Sequence, residues 1–284
     1  MLEVKDLKKK YNNFQLDCSF RIEEDQVVGL VGRNGVGKTT LFRSILGLLR
    51  PDEGEINLFG RSVAHLTEAD KARIGVTFPH SFFSEQLTIA EIKQVMIATY
   101  SAQFNAAEFD QKCNRLQLPL DKKVKNFSTG MQTKLKLLLA MSHEADFLLL
   151  DEPTSGLDVI VRNEILGMLQ DYLDQKNNRS VLISSHISSD LEQLCDFIIL
   201  IDDGKIILQE ETDNLLNHYG ILKVSEQEYS SLEQEFILAA KKRSYGYACL
   251  TNERRYYQEN YPKIAIEKGS IDEVLMLLAK GEEQ

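Results

Sequence analysis

Residues 32 to 39 have the types and the spacing of a phosphate-binding loop. They follow the pattern G-x-x-x-x-G-K-[ST] and are Gly32, Arg33, Asn34, Gly35, Val36, Gly37, Lys38 and Thr39. The glycines let backbone N–H groups turn toward phosphate oxygens, and the positive end of a following helix adds to that field. Lys38 would place a charge beside the β- and γ-phosphates, and Thr39 would offer a hydroxyl to Mg²⁺. A Gly-rich turn is the alternative, but the apolar run before it and the helical spacing after it favour nucleotide binding.

Two adjacent carboxylates, Asp151 and Glu152, follow an apolar run at 148–150. Successive residues at the end of a strand point in different directions, so the two groups can have different roles. Asp151 would hold the water shell of Mg²⁺, and Glu152 would lie beside the γ-phosphate and orient or deprotonate water. Taken alone, the pair is equally typical of an acidic corner between a strand and a loop. The phosphate-binding loop earlier in the chain favours the catalytic interpretation.

A histidine and a serine complete the candidate residues. His186 ends a buried strand predicted at 181–185, and at the carboxyl edge of the sheet it would reach the same phosphate and hydrogen-bond to it. A lone histidine is otherwise more often packed or solvated. Ser128 precedes a helix-patterned segment through 134–141, and free N–H groups at that helix start would form a second anion site. Taken alone, Ser128 is only an N-cap.

Strand and helix patterns alternate around these residues and predict an α/β fold. Continuous apolar runs predict buried strands at 27–31, 147–150, 181–185 and 197–201. Helical spacing occurs between them at 39–49, 159–172 and 189–194. Such alternation predicts a mostly parallel sheet covered on both faces. Alternating polarity predicts an antiparallel part at 2–4, 14–22 and 55–59, and residues from about 88 to 142 read as a helical insertion.

The composition changes after about residue 217, where Tyr, Lys, Arg and Glu become frequent. Strand-like segments at 222–224, 236–240 and 245–250 precede a final helix, for which Ser270 and Glu273 form a capping box. The tail could regulate, dimerise or cover a sheet edge. Its basic residues at 241–243 and 254–255 could touch lipid or a partner, although a solvated face is the favoured interpretation.

Composition limits the class of protein. The 284 residues carry 43 acidic and 33 basic side chains, a net charge of −10, which argues against a chain that grips nucleic acid. No apolar run approaches the roughly 18–20 residues that span a bilayer, and no apolar segment of a secretory signal follows the N-terminal charges. The four cysteines are far apart, which indicates reduced, mostly buried thiols. We expect a soluble, intracellular, acidic globular protein.

Taken together and in this order, the motifs resemble those of the ATP-binding subunit of an ABC transporter. Residues 32–39 match Walker A, 148–152 match Walker B with its catalytic glutamate, and His186 matches the switch histidine. Residues 127–132 resemble the signature loop and 155–158 the D-loop. The resemblance covers about residues 1–215 and is greatest to ABC-2-type export systems of Gram-positive bacteria. It implies a P-loop NTPase (RecA-like) core with an antiparallel β subdomain, an α-helical subdomain at about 86–145 and a small α+β C-terminal extension. The implied domains are 1–216 and 217–284.

The resemblance also implies a mechanism that needs two further chains. A second ATP-binding subunit, identical or different, would meet this one head to tail, so that Ser128 and Gly130 act on the partner's γ-phosphate. An integral-membrane permease, gripped by the helical insertion, would hold the chain at the inner face of the membrane, and no nucleic acid would take part. ATP and Mg²⁺ would be bound, with Thr39 and Asp151 at the metal. The implied catalytic residues are Glu152, His186 and Lys38, and the implied nucleotide-binding residues are Tyr11 against adenine, the loop from Gly32 to Thr39, Thr40, Ser128, Gly130 and Asp158.

Two positions depart from the family pattern. The glutamine usually found after I-G-x-x-F, which meets Mg²⁺ and connects to the membrane partner, is replaced by Pro79, so its role is missing or displaced to His80 or another residue of the loop. Thr129 replaces the first glycine of the signature loop. We expect hydrolysis to survive, because Glu152, Asp158 and His186 are present. The alternatives are a soluble ABC ATPase that acts as a motor on another assembly, and a nucleotide-binding regulatory module with weak hydrolysis.

Overall fold

The computed structural model describes residues 1–79 and 83–279, and within them two sheets and their helices. The strands are β1 (Leu2–Tyr11), β2 (Phe14–Ile22), β3 (Val27–Val31), β4 (Glu53–Leu58), β5 (Arg61–Ser62), β6 (Ile74–Thr77), β7 (Phe147–Asp151), β8 (Ser180–Ser184), β9 (Phe197–Asp202), β10 (Lys205–Glu211), β11 (Gly220–Val224), β12 (Ile237–Arg243), β13 (Gly246–Thr251) and β14 (Ala265–Lys268). The α-helices are α1 (Lys38–Ile45), α2 (Glu68–Lys71), α3 (Ile89–Tyr100), α4 (Ala106–Arg115), α5 (Thr129–Met141), α6 (Val159–Asp174), α7 (Ser188–Leu194), α8 (Thr212–His218), α9 (Glu226–Ser231), α10 (Arg254–Asn260) and α11 (Ile271–Leu278).

The main sheet has ten strands in the order β5-β4-β1-β2-β10-β9-β3-β8-β7-β6. Its centre, from β9 to β6, is parallel, and β3, β7 and β8 are buried along their whole length, which confirms the predicted parallel α/β sheet. The strands β1, β2, β4 and β5 form the predicted antiparallel part. Strand β10 was not predicted from the sequence. It pairs antiparallel with β9 and parallel with β2, and so joins the parallel centre to the antiparallel part.

The helix after the phosphate-binding loop is shorter than predicted. Helix α1 ends at Ile45, not near residue 49, because Leu46 is its C-cap and Gly47 adopts a left-handed conformation with φ 67°. Such a glycine ends a helix at little steric cost. The apolar face of α1 packs under the sheet with Leu41, Phe42 and Ile45 fully buried, which fixes the start of the helix against β3.

The helical insertion contains α3, α4 and α5, as the pattern predicts. Thr88 caps α3 in a capping box with Glu91, Asn105 caps α4, and Ser128 caps α5. Apolar residues of all three helices form one buried cluster, among them Ile92, Phe109 and Leu138. Another face of α5 packs on the main sheet, so this helix contacts both the core of the insertion and the sheet.

The residues after 217 form a second, antiparallel sheet in the order β12-β13-β11-β14. The predicted capping box of Ser270 and Glu273 starts α11. The extension joins the rest of the chain through α7, because Ser188 Oγ donates to Asp272 Oδ2 at 2.8 Å and one buried cluster contains residues of both parts. Among the residues that the structure describes, its strands pair with neither edge strand of the main sheet, β5 or β6.

The basic residues of the extension bind within it where contacts are described. Lys241 Nζ donates to the carbonyl oxygens of Met276 and Ala279 at 2.7 and 2.6 Å, at the end of α11. A cation there stabilises the negative end of the helix. Lys242 Nζ lies 2.7 Å from Glu226 Oε1. Lys242 is exposed, as a solvated face predicts, whereas Lys241 is partly buried and holds the end of α11.

All four cysteines are free and buried, as predicted. Burial raises the pKa of both Cys18 and Cys113 to about 12, so these thiols are neutral at physiological pH. Over residues 1–79 and 83–279, no helix has both the length and the apolar character needed to cross a membrane.

We expect Ile271→Ala to test whether the extension is an independent domain. Ile271 is fully buried at the start of α11 in the cluster that spans both parts, so its truncation should cost about 2–4 kcal/mol of unfolding free energy. Because the core is shared, equilibrium urea unfolding followed by circular dichroism should show one transition, moved to lower urea. Met276→Ala on the same helix, where the side chain is 59% exposed, is the matched control. Two transitions, of which only one moves, would show that the extension folds by itself.

Candidate functional site

The phosphate-binding loop connects β3 to α1 and depends on glycine at two positions. A Cβ at Gly32 would lie 2.4 Å from the carbonyl oxygen of Ile201 on β9, so only glycine allows this approach of the loop to the sheet. Gly37 is the N-cap of α1 with φ 111°, a conformation that favours glycine. No described side chain caps this helix start, so its first N–H groups face the loop and are available to an anion.

Lys38 lies inside the loop and is only 7% exposed. Its Nζ donates to the carbonyl oxygen of Gly32 at 2.6 Å and lies 3.4 Å from that of Arg33. Glu152 Oε1 is 3.6 Å away and provides the opposite charge. A buried ammonium needs such partners, and these hold it where the loop's N–H groups converge. The ammonium group of Lys38 is therefore placed to bind a phosphate oxygen that enters the loop.

Asp151 links three elements at the end of β7. One of its oxygens, Oδ1, accepts a 2.6 Å hydrogen bond from Ser184 Oγ on the neighbouring β8, and Oδ2 accepts a 3.2 Å bond from Thr39 Oγ1 on α1. The described residues contain no cluster of three or more His, Cys, Asp or Glu side chains that could hold a metal by themselves. The pair of Thr39 and Asp151 does fit Mg²⁺, which usually takes one or two protein ligands together with phosphate oxygens and water.

Glu152 is held in a strained conformation beside His186. Its φ is 50°, its N–H donates to Ser184 Oγ at 3.0 Å, and its Oε2 lies 2.5 Å from His186 Nδ1. The backbone N–H of His186 donates to the same oxygen at 3.2 Å. A non-glycine residue with positive φ costs free energy and occurs often at functional sites. The carboxylate therefore lies between a cation, Lys38, on one side and a histidine on the other, in position to accept a proton.

A cleft of about 600 Å³ is lined by both carboxylates and by most of the predicted nucleotide-binding residues, whereas His186 contacts Glu152 from outside the lining. Tyr11 stands at its edge, 48% exposed, with its ring centroid 6.2 Å from that of Phe14. Phe14 also lines the cleft and was not predicted from the sequence. The available signal was a second aromatic residue opposite Tyr11 across the turn at 12–13. The other lining residues are Arg33, Asn34, Gly35, Gly37, Lys38, Thr39, Thr40, Pro79, Asp151 and Glu152. The side chain of Val36 is instead buried in the core, so only its backbone faces the loop.

The structure places Ser128, Gly130 and Asp158 outside this cleft. Ser128 and Asp158 cap α5 and α6: Ser128 Oγ accepts from Met131 N at 3.3 Å, and Asp158 Oδ1 accepts from Val161 N at 3.0 Å. Gly130 faces Val161, which a Cβ would approach to 3.0 Å. These two helix starts therefore form one surface beside the cleft, and the exposed side chains of Val159 and Ile160 belong to it.

The two positions that depart from the family pattern lie close to Glu152. Pro79 lines the cleft, and its carbonyl oxygen accepts a 2.7 Å hydrogen bond from Lys136 Nζ on α5. Thr129 lines a neighbouring cavity of about 200 Å³ together with Pro79, Lys136 and Glu152. His80, to which the role of the missing glutamine could be displaced, lies outside the described residues.

Comparisons with known proteins agree with the motifs. The family model for ABC transporters matches residues 16–155. The ATP-binding protein NatA of Bacillus subtilis is 32% identical over 213 residues, which cover 73% of this chain and 86% of NatA. Nod factor export ATP-binding protein I of Ralstonia nicotianae is 30% identical over 226 residues, or 77% of this chain and 69% of that protein. The post-hydrolysis dimer of the ATP-binding cassette MJ0796 with ADP and Pi has the same fold, with a TM-score of 0.66 at 21% identity over 75% of this chain and 99% of that one.

Proposed function

We propose that this chain, which belongs to the family of ABC transporter ATP-binding proteins, powers the export of a substrate through a separate membrane-spanning partner. As a member of that family it is an ATP-binding subunit and an ATPase. The observation that carries the proposal is the position of Glu152, held between Lys38 and His186 in the phosphate cleft. A relative whose name includes Nod factor export supports the direction of transport.

Hydrolysis in the proposed site depends on three groups around the γ-phosphate. Lys38 and the N–H groups of the loop bind the phosphates and stabilise the charge that develops on them. Glu152 orients the attacking water and accepts its proton, and His186 holds the carboxylate through Nδ1. Thr39 and Asp151 would hold Mg²⁺, which when bound neutralises charge on the phosphate oxygens.

The surface formed by Ser128, Gly130 and Asp158 would complete the site of a second ATP-binding subunit. In its own chain it does not line the cleft, although it lies at the start of two helices, where anions bind well. The side chains of Val159 and Ile160, 65% and 75% exposed, give it an apolar contact area. A head-to-tail dimer would cover these side chains and bring Ser128 to the partner's γ-phosphate.

The membrane-spanning part of the exporter would be a separate permease. The helical insertion, built from α3, α4 and α5, would dock on it and place this chain at the cytoplasmic face. ATP-driven closure of the dimer would then move the permease. A nucleotide-binding regulatory role with weak hydrolysis is the second candidate, and Pro79 and Thr129 favour it because both alter the surroundings of Glu152.

We expect Glu152→Gln to separate these two candidates. The amide keeps the size of the side chain but accepts no proton, so kcat should fall by about 10²–10⁴-fold. Binding of ATP should persist, because the loop and Lys38 are unchanged. Steady-state phosphate release gives kcat, and fluorescence titration with a nucleotide analogue gives binding. Glu164→Gln, which alters an ion pair with Lys134 away from the cleft, is the control. If the unmodified chain with Mg-ATP shows no turnover for Glu152→Gln to remove, the site is degenerate or needs its partner.

The proposed dimer predicts a change in mass that depends on ATP. With hydrolysis blocked by Glu152→Gln, light scattering with Mg-ATP should show the 32.4 kDa mass double. Adding Ser128→Arg should keep the chain monomeric while it still binds ATP, because the large side chain occupies the place of the partner's phosphate. Ser231→Arg, at an exposed position on α9, should leave the dimer unchanged. A dimer that forms without ATP, or that tolerates Ser128→Arg, would contradict the head-to-tail arrangement.

The proposed permease can be sought by purification from membranes of the source cells. The chain, tagged at its C-terminus and solubilised in mild detergent, should carry with it a protein with several membrane spans. A chain with a charged residue at Val95, an exposed apolar side chain on α3, should recover less of that protein at equal expression. Recovery of soluble partners alone would favour a non-transport assembly.

A further inference from the structure

The described residues that follow β6, 78–79, reach the phosphate cleft without the glutamine of the family pattern. Pro79 stands at that position and lines the cleft with Asp151 and Glu152. Its side chain can neither donate nor accept a hydrogen bond, and proline also lacks a backbone N–H. The carbonyl oxygen is therefore the only hydrogen-bonding group that this residue offers.

Lys136 on α5 is the hydrogen-bond donor to this carbonyl oxygen. Its Nζ donates to Pro79 O at 2.7 Å across 57 residues of sequence. The side chain is half-buried, and burial lowers the pKa of its ammonium group, while the Glu85 carboxylate acts in the opposite direction. A hydrogen bond from an ionised donor in such surroundings is stronger than a neutral one. The hydrogen bond from Lys136 can therefore hold Pro79 in position.

Helix α5 connects this hydrogen bond to the surface that contains Ser128 and Gly130. It begins at the Ser128–Gly130 surface and carries Lys136 two turns further along, beside the end of β6. One cavity of about 200 Å³ is lined by Thr129, Lys136, Pro79 and Glu152, so the signature loop, the lysine and the catalytic carboxylate share one wall. A shift of α5 would therefore move the Pro79 carbonyl, and with it the edge of the cleft next to Glu152.

We propose that Lys136 is a positioning residue for ATP hydrolysis, which through the carbonyl of Pro79 links α5 to the catalytic cleft in place of a glutamine side chain. The inference rests on the proposed site around Glu152. Lys136 itself touches neither nucleotide nor water in this role. It sets the position of Pro79, so it should affect the rate of the chemical step more than the binding of ATP.

The test compares ATP hydrolysis by the purified full chain and its variants. Lys136→Met keeps the apolar stem and removes the donor, and it should lower kcat about three- to tenfold with KM for ATP changed less than about twofold. Lys136→Arg keeps a charged donor and should retain most of kcat. Lys134→Met is the matched control, because it removes the same side chain from the same helix but from an ion pair with Glu164 on α6. It should retain the kcat of the unmodified chain.

A glutamine restored at position 79 makes the test specific for the proposed replacement. In the Pro79→Gln background, Lys136→Met should lower kcat less than about twofold, because the side-chain link no longer depends on the lysine. Three outcomes would overturn the inference. They are an equal loss of kcat in both backgrounds, a change in KM without a change in kcat, and a failure of Lys136→Arg to retain kcat. If Lys136→Met does not fold, Lys136→Gln, whose amide is too short to reach the carbonyl, replaces it with the same expectations.

Glu152→Gln in the same assay distinguishes the two levels of the argument. If Glu152→Gln abolishes turnover while Lys136→Met leaves kcat unchanged, the proposed site stands and the role of Lys136 is refuted. If Glu152→Gln leaves turnover unchanged, the proposed site fails, and the role of Lys136 fails with it.

Discussion

The buried carboxylate of Asp151 is the constraint on which the rest of the site depends. It is 3% exposed, and its two oxygens accept hydrogen bonds from Ser184 on the next strand and Thr39 on the helix after the phosphate-binding loop. Burying a charge is costly unless hydrogen bonds satisfy it, so these elements cannot separate without exposing an uncompensated carboxylate. The bonds fix β7 against β8 and α1 against both. The loop between β3 and α1 therefore keeps its position relative to the acidic strand.

The strained position of Glu152 follows from that constraint. Because Asp151 is fixed, the chain must turn at the next residue, and it does so with φ 50° and with the Glu152 N–H bonded to Ser184 Oγ. The same serine hydroxyl thus donates to Asp151 and accepts from Glu152. This shared partner separates the two carboxylates: one faces the helix and the metal position, and the other lies between Lys38 and His186. Two acidic side chains that are adjacent in sequence acquire different surroundings, and hence different chemistry.

Local patterns predicted the parts of this site that are made by adjacent residues. The loop at 32–39 and the pair at 151–152 follow from residue types that act within one turn or one strand end. The contact between Lys136 and Pro79 could not be predicted in this way, because a backbone carbonyl has no sequence signal and its partner is on a distant helix. Strand β10 was missed because its apolar run, 206–208, is only three residues long and is followed by polar residues, and its side chains are at most partly buried. Phe14 was missed because its spacing from Tyr11 across the turn at 12–13 indicates only a hairpin, and its approach to Gly37 is created by the fold.

The C-terminal extension has a physical route to the same site. Helix α7 starts two residues after His186, and its first residue, Ser188, donates to Asp272 of the extension. The backbone N–H of Ile271 lies 3.5 Å from a Glu192 carboxylate oxygen on the same helix, and apolar residues of α7 and α11 share one cluster. A displacement of α11 would therefore pull on α7 and on the short segment that carries the histidine. The backbone N–H and the Nδ1 atom of His186 both contact Oε2 of Glu152, so a rotation of that segment would alter both contacts. The extension is therefore connected to the segment that carries His186 through α7, by the hydrogen bond of Ser188 to Asp272 and by a shared apolar cluster.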